Sequence, residues 1–327
     1  VEIGNSEENP ISQALNSGLY YLKEISISDS YYLDEEQIPV QLCYKDAVTP
    51  VIYVNCRKEN KQTTNEIDKL SVADSSEIAG CNLVITDAEG KEIISWTSGD
   101  KDSVKVSVTE KDGYCNLKYS FDEKGNLRVG GLLHDKDYTL TEIRPANGYV
   151  TADAIVYQIK QKTAEDGSIS SVVSIKQEDG TYADQEDDKT VMVDEQTHIQ
   201  LLKLDKKSGQ ALGGAKFVVT DSKGKEVMKF VTKDEAYDIT GKLVVGETYT
   251  FTEASAPSGY QLAEPVKITI KDTSKVQTVT VKDAPIPDVP DTPQTGGTLP
   301  VLPLAAGLLG VVAAALMVWR KRGVVKK

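Results

Sequence analysis

The chain has 327 residues and a formal net charge of −13, long enough for two or three domains and too acidic for a nucleic-acid partner. Two histidines, His134 and His198, leave little material for a histidine-based metal centre or catalytic triad. Thr, Val, Ile and Tyr runs separated by Gly, Asp and Asn favour strands and turns.

The sequence begins at Val1 with no signal peptide, which reads as a processed chain or a piece of a longer one. Its first patterned element is "YYLKEISISDSY", Tyr20 to Tyr31. Two apolar runs follow, "IPVQLCYK" and "PVIYVNCRK", read as a hairpin turning near Asp46 to Thr49. That turn would not place Cys43 opposite Cys56. With Cys81 and Cys115 there are four cysteines, whose spacing assigns no pairs, and the expectation is neither a disulfide scaffold nor a metal site.

Next comes "NKQTTNEIDK", Asn60 to Lys69, which leads into "KLSVADSSEIAGCNLVITDAEGKEI". About twenty extra residues between Gly99 and Leu127 follow. The stretch "YTLTEIRPANGY" then alternates as a half-buried strand and places Glu142 on the face of Tyr138 and Leu140. A core-facing carboxylate is costly unless it is paired or neutral. A second insertion, Lys162 to Lys189, includes the acidic "DQEDDK". It is expected as a solvated loop rather than a calcium site, because no ordered ligand spacing appears. "DEQTHIQLLK" then leads from Asp194 into "KLDKKSGQALGGAKFVVTDSKGKEV", and "YTFTEASAPSGY" and "VTVKDAPI" close the patterned region.

These elements repeat. Tyr-x-[Leu/Phe]-x-Glu-x6-Tyr occurs three times, giving Glu24, Glu142 and Glu253, and the Lys69 and Lys203 segments align without a gap at an offset of 134. Asn60 and Asp194 each stand nine residues before a lysine. Strand parity puts Ile199 and Leu201 on the face of Lys203, Met192 on that of Asp194, and Val279 and Val281 on that of Asp283. Beside Lys69 the support is thinner: Ile67 is apolar and Asn65 is not. Each complete repeat therefore points a Lys, a Glu and an Asp into one core. Cys81 aligns with Ala215 and reads as a small buried residue.

The "GGAKF" after the Lys203 strand, the Tyr-x-Phe-x-Glu strand with "APSGY", and "VTVKDAPI" resemble the Cna B-type (SpaA-like prealbumin) domains of Gram-positive adhesins and pilins. The resemblance implies an all-β chain of tandem prealbumin-like, Ig-like β-sandwich domains. It also implies intramolecular isopeptide bonds, Lys69 to Asp194 assisted by Glu142 and Lys203 to Asp283 assisted by Glu253. The alternative is a buried Lys–Glu–Asp ion cluster with no covalent bond. Glu24 and Asn60 match the end of an earlier repeat whose lysine would lie before Val1. No YPK-like motif that would supply a polymerising lysine, as in shaft pilins, occurs in the sequence.

The C-terminus fixes the expected compartment. "DTPQTGG" precedes an uncharged run from Leu299 to Trp319 and the basic "RKRGVVKK". The run is long enough to span a membrane as a helix, and the basic end stays in the cytoplasm. The arrangement resembles the LPxTG sorting signal that a sortase cleaves between Thr and Gly. Here the motif reads Thr292, Pro293, Gln294, Thr295, Gly296, with Thr292 in place of the usual Leu, and Thr295 would be joined to peptidoglycan or a pilus subunit.

The expected organisation is therefore as follows: the end of a truncated domain over 1–64, a domain with insertions over 65–196, and a last domain over 197–285. A Pro-rich linker with the sortase motif over 286–297, a transmembrane helix over 298–319 and a basic tail over 320–327 complete it. The expected function is the stalk of a wall-anchored adhesin or minor pilin, with sortase as partner, a host or matrix ligand of unknown identity, no cofactor, and no activity on an external substrate. The competing expectation is a stalk that displays a secreted enzyme encoded upstream.

Overall fold

The computed structural model describes residues 16–46, 48 and 58–287. These residues are all-β, with one turn of 3-10 helix at Glu110–Asp112. Among them no helix is long and apolar enough to cross a membrane. The sortase motif, the apolar run and the basic tail lie outside the described residues.

In the first segment Gly18–Leu22 pairs antiparallel with Ile38–Leu42. The strand that ends just before Cys43 thus pairs upstream, and residues 51–57, within the other half of the expected hairpin, are not among those described. Cys43, Cys81 and Cys115 are free thiols.

The middle region folds as two sheets over one core. Thr64–Ser71 lies between Lys189–Asp194, parallel to it, and Leu127–Gly130, antiparallel, with Lys118–Phe121 at the far edge. The other sheet has seven strands, in the order Tyr182–Asp184, Ile169–Lys176, Ile155–Thr163, Tyr138–Arg144, Asn82–Asp87, Glu92–Thr97 and Asp100–Val106. Alternate residues of each sheet point inward: Ile67, Leu127, Val129 and Met192 from the first meet Leu83, Ile85, Tyr138 and Leu140 from the second. Burying each such side chain contributes about 1.5–3 kcal/mol. Asn65, the polar residue that weakened the parity argument, is fully buried on this face; its side-chain amide donates to Asp188 O and Thr190 Oγ1, both at 3.0 Å.

Both insertions are built into this domain. The first supplies the edge strands Asp100–Val106 and Lys118–Phe121 and buries Val108 and Tyr114 against the core. The second corrects the expectation of a solvated loop: it forms all of Ile169–Lys176 and Tyr182–Asp184, and Val172 and Val173 are buried. Its apolar residues Ile169, Val173 and Ile175 alternate as a strand requires, and the acidic run after them is partly engaged, since Asp188 pairs with Arg128 at 2.7 Å.

The last region repeats the plan at smaller scale. Ile199–Asp205 lies between Gln277–Asp283, parallel, and Tyr237–Asp238, antiparallel. The facing sheet runs Glu226–Val231, Lys216–Thr220, Thr248–Ser255, Val266–Thr269. Ile199, Leu201, Val279 and Val281 pack with Phe217, Val219, Tyr249 and Phe251 in a separate core.

Candidate functional site: two buried Lys–Glu–Asp triads

Each triad takes two members from one sheet and the third from the sheet opposite. Lys69 stands beside Met192 in the parallel pair, and Asp194 is two residues further along the neighbouring strand. Lys203 stands beside Val281, with Asp283 again two residues on. The period of two puts lysine and aspartate on one face, diagonal to each other and directed at the core. The glutamate comes from across the sandwich: Glu142 pairs with Leu83 and Glu253 with Phe217. In both cases the partner strand carries a register shift at this point, between Asn82 and Leu83 and between Lys216 and Phe217. Such a bulge re-aims a side chain without ending the sheet.

All six groups are buried, with Lys203 and Asp283 at 0 % exposure. The Lys69 amine hydrogen-bonds Asp194 Oδ1, and the Lys203 amine hydrogen-bonds Asp283 Oδ1. Glu142 Oε1 lies 3.1 Å from Lys69 Nζ and Glu253 Oε1 lies 3.0 Å from Lys203 Nζ, in neither case aligned for a hydrogen bond. The second oxygen of each glutamate is fixed: Oε2 accepts the backbone N–H of Ala152, or of Ala263, at 2.8 Å. One carboxylate oxygen is thereby anchored, and the other faces the amine. Burial pushes the Asp194 carboxyl up to about 6, Lys69 opposing the rise and Glu142 adding to it. Asp283 is raised for the same reasons.

The triads differ at one neighbour. The Cys81 thiol lies 3.8 Å from Asp194 Oδ2, whereas Ala215 holds that place in the last domain and Asp283 Oδ2 has no hydrogen-bond partner among the described residues. Cys81, Glu142 and Asp194 bring three ligand atoms within 4.8 Å of one another, but the Lys69 amine already sits between the two carboxylates. A cation there would have to displace it. This donor set suits an amine, not a metal ion.

Glu24 and Asn60 are not drawn into a buried cluster. Asn60 is exposed, and half-buried Glu24 accepts the N–H of Asp34 at 3.4 Å. That acceptor is nevertheless the N–H ten residues on, as it is for Glu142 with Ala152 and Glu253 with Ala263. The anchoring N–H, the strand bulge and the Cys81 contact were not foreseen from the sequence. Only the first leaves a sequence trace, an alanine ten residues after the glutamate in both complete repeats.

Residues 197–285 match the SpaA prealbumin-like fold domain. The chain's last triad therefore sits in a prealbumin-like domain. No curated protein matches the chain. Among solved structures, the Bacillus anthracis TIE protein is similar at 23% identity and a TM-score of 0.39, over 83% of this chain and 42% of that one. The shaft pilin SpaA from Lactobacillus rhamnosus GG is similar at 14% identity and a TM-score of 0.26, over 70% and 99%. The pilus adhesin SpaC from the same organism, in its open conformation, is similar at 17% identity and a TM-score of 0.33, over 71% and 32%. The chain thus spans less than half the length of the first and last of these.

Proposed function

We propose that each triad closes an intramolecular isopeptide bond, Lys69 to Asp194 and Lys203 to Asp283, and that the crosslinked domains form the stalk of a protein displayed on a Gram-positive surface. The observation behind this reading is the recurrence of three buried groups, in one register and with one anchoring N–H, in both complete domains. A lone buried ion pair gains little over apolar packing, so stability alone does not account for keeping both triads.

The chemistry follows from the geometry. The condensation requires the lysine as its neutral amine and the aspartate as its protonated acid, the form that burial favours for Asp194 and Asp283. The amine Nζ attacks Asp Cγ, forming the C–N bond of a tetrahedral intermediate. The glutamate Oε1 takes a proton from the nitrogen and returns it to the departing hydroxyl. The C–O bond breaks, one water leaves, and a neutral amide remains. No cofactor or oxidant enters this balance. Holding amine and carboxyl in contact supplies the effective concentration that a condensation in water lacks. The glutamate is unchanged at the end and each site turns over once, with no external substrate.

In this reading the pull on a wall-anchored chain passes through the crosslink from the last strand to the first and leaves the remaining strands unloaded. Anchoring would use Thr295, with a sortase and peptidoglycan or a pilus subunit as partners, and the role would be that of an adhesin or minor pilin. Digestion tests the bonds: trypsin should fail to cut after Lys69 and Lys203 and should release branched peptides joining each lysine to its aspartate. Linear peptides ending at these lysines would refute the reading.

A further inference from the structure

The pair Gln-Thr recurs at Gln62-Thr63 and Gln196-Thr197, two and three residues after Asn60 and Asp194. The triads do not use it. We propose that it is a docking clasp, a built interface whose partner is the next prealbumin-like module, and that it fixes each domain onto its successor.

The two junctions are built alike. Thr63 and Thr197 are both fully buried. Thr63 N–H donates to Ser30 O at 3.1 Å and Thr197 N–H to Gly148 O at 2.8 Å, each tying the threonine to the turn that ends the preceding glutamate motif. The threonine carbonyl then accepts from the following module: Gly131 N–H at 3.0 Å in one junction, Gly241 N–H at 2.9 Å in the other. The hydroxyl spans the seam. Thr63 Oγ1 lies 2.5 Å from Leu132 O and 3.4 Å from Ser30 O. Thr197 Oγ1 lies 3.3 Å from both Leu243 O and Gly148 O. One threonine thus binds a carbonyl of the module behind and a carbonyl of the module ahead.

The glutamine and a glycine complete the fit. Gly131 and Gly241 hold φ of +92° and +69°, a left-handed conformation that favours glycine. A Cβ at Gly131 would stand 2.6 Å from Gln62 Nε2, and one at Gly241 3.1 Å from the Gln196 amide carbon. Gln62 Nε2 also donates to Asn116 O at 2.8 Å. Behind the clasp, the tyrosine that closes each glutamate motif bridges to the glutamine, Tyr31 to Gln62 and Tyr149 to Gln196.

The third copy marks what is specific. Tyr260 bridges to Pro285, and Ile286 N–H donates to Gly259 O at 2.8 Å, so the backbone frame is present again. Pro285 and Ile286 replace Gln-Thr, and Ile286 is 54 % exposed. The frame belongs to every repeat, and the side-chain clasp occurs only where a described module follows. The clasp also lies in the nine residues from Asp194 to Lys203, the stretch that the proposed crosslinks would leave in series with the pull. That corollary depends on the isopeptide bonds, and the clasp itself does not.

Hydrogen exchange on the full chain tests the clasp, with Thr197→Val and Thr197→Ser compared with wild type. The valine variant should exchange about tenfold faster at the Gly241 amide, as expected for a buried carbonyl left without its donor, while amides of the Phe251 strand keep their rates. The serine variant should stay within about twofold of wild type, because the hydroxyl is retained. Should Thr197→Val fail to fold, Gly241→Ala supplies the second route and should raise exchange at Thr197. Unchanged junction rates in Thr197→Val, or serine behaving like valine, would overturn the proposal. Either result leaves the crosslinks untouched, since intact mass reports those separately.

Discussion

At the residue scale, the proposed chemistry gives the glutamates the most specific task. Glu253→Gln keeps an oxygen for the Ala263 N–H and would lose the proposed proton relay, so the last domain should fold but not crosslink. Without the crosslink it gives up unfolded-state restraint. Lys203 and Asp283 are 80 residues apart, which by analogy with disulfides corresponds to about 4–5 kcal/mol, measurable by denaturant unfolding. Cys81 gives a second residue-level test. Burial, with the Glu142 carboxylate beside it, pushes its thiol up to about 12, so iodoacetamide at neutral pH should label exposed Cys43 and spare Cys81 until the domain is unfolded. The triads were legible because strand parity and the 134-residue offset both point at the same lysines. Asn65 shows the limit of parity: it is buried through hydrogen bonds to Asp188 and Thr190, partners 123 and 125 residues away, and nothing local announces them.

At the element scale, turns at the junctions carry the most strain-sensitive positions. Gly148 has φ of +87°, and a Cβ there would lie 2.3 Å from Gly241 O. Gly148→Ala should therefore cost about 1–3 kcal/mol, seen as a lower unfolding midpoint. Tyr32 makes a second junction contact: its ring is fully buried and its hydroxyl donates to Ser171 Oγ at 2.8 Å. Burial raises it to about 12, and Asp188 and Asp135 nearby add to the rise. The folded state thus holds the phenolic proton more tightly than the unfolded chain, so this contribution is complete below pH 10 and is lost between pH 10 and about 12. Tyr32→Phe should flatten that part of the stability profile, read by chemical denaturation across the same range. The second insertion was misread as a loop because its acidic run drew more notice than the alternation of Ile169, Val173 and Ile175 before it. Its strands form only because Ile155–Thr163 offers an edge to pair with, a tertiary fact.

At the scale of the whole molecule, the all-β class and the repeated plan were readable from composition and internal alignment. The coupling between repeats was not, although Gln-Thr stood in both aligned segments. Its meaning depends on Gly131, Leu132, Gly241 and Leu243, loop residues that no periodicity singles out. With both crosslinks formed, a chain pulled at its ends should show no extension from inside the two complete domains, and Glu142→Gln or Glu253→Gln should each restore one domain's unfolding length in single-molecule force measurements. That force response requires both bonds. Intact mass of the purified chain tests their formation most directly. The account predicts a deficit of one water for each complete domain, halved by Glu253→Gln or Lys203→Ala. A mass equal to the sequence, with the triads left as ion clusters, would contradict it.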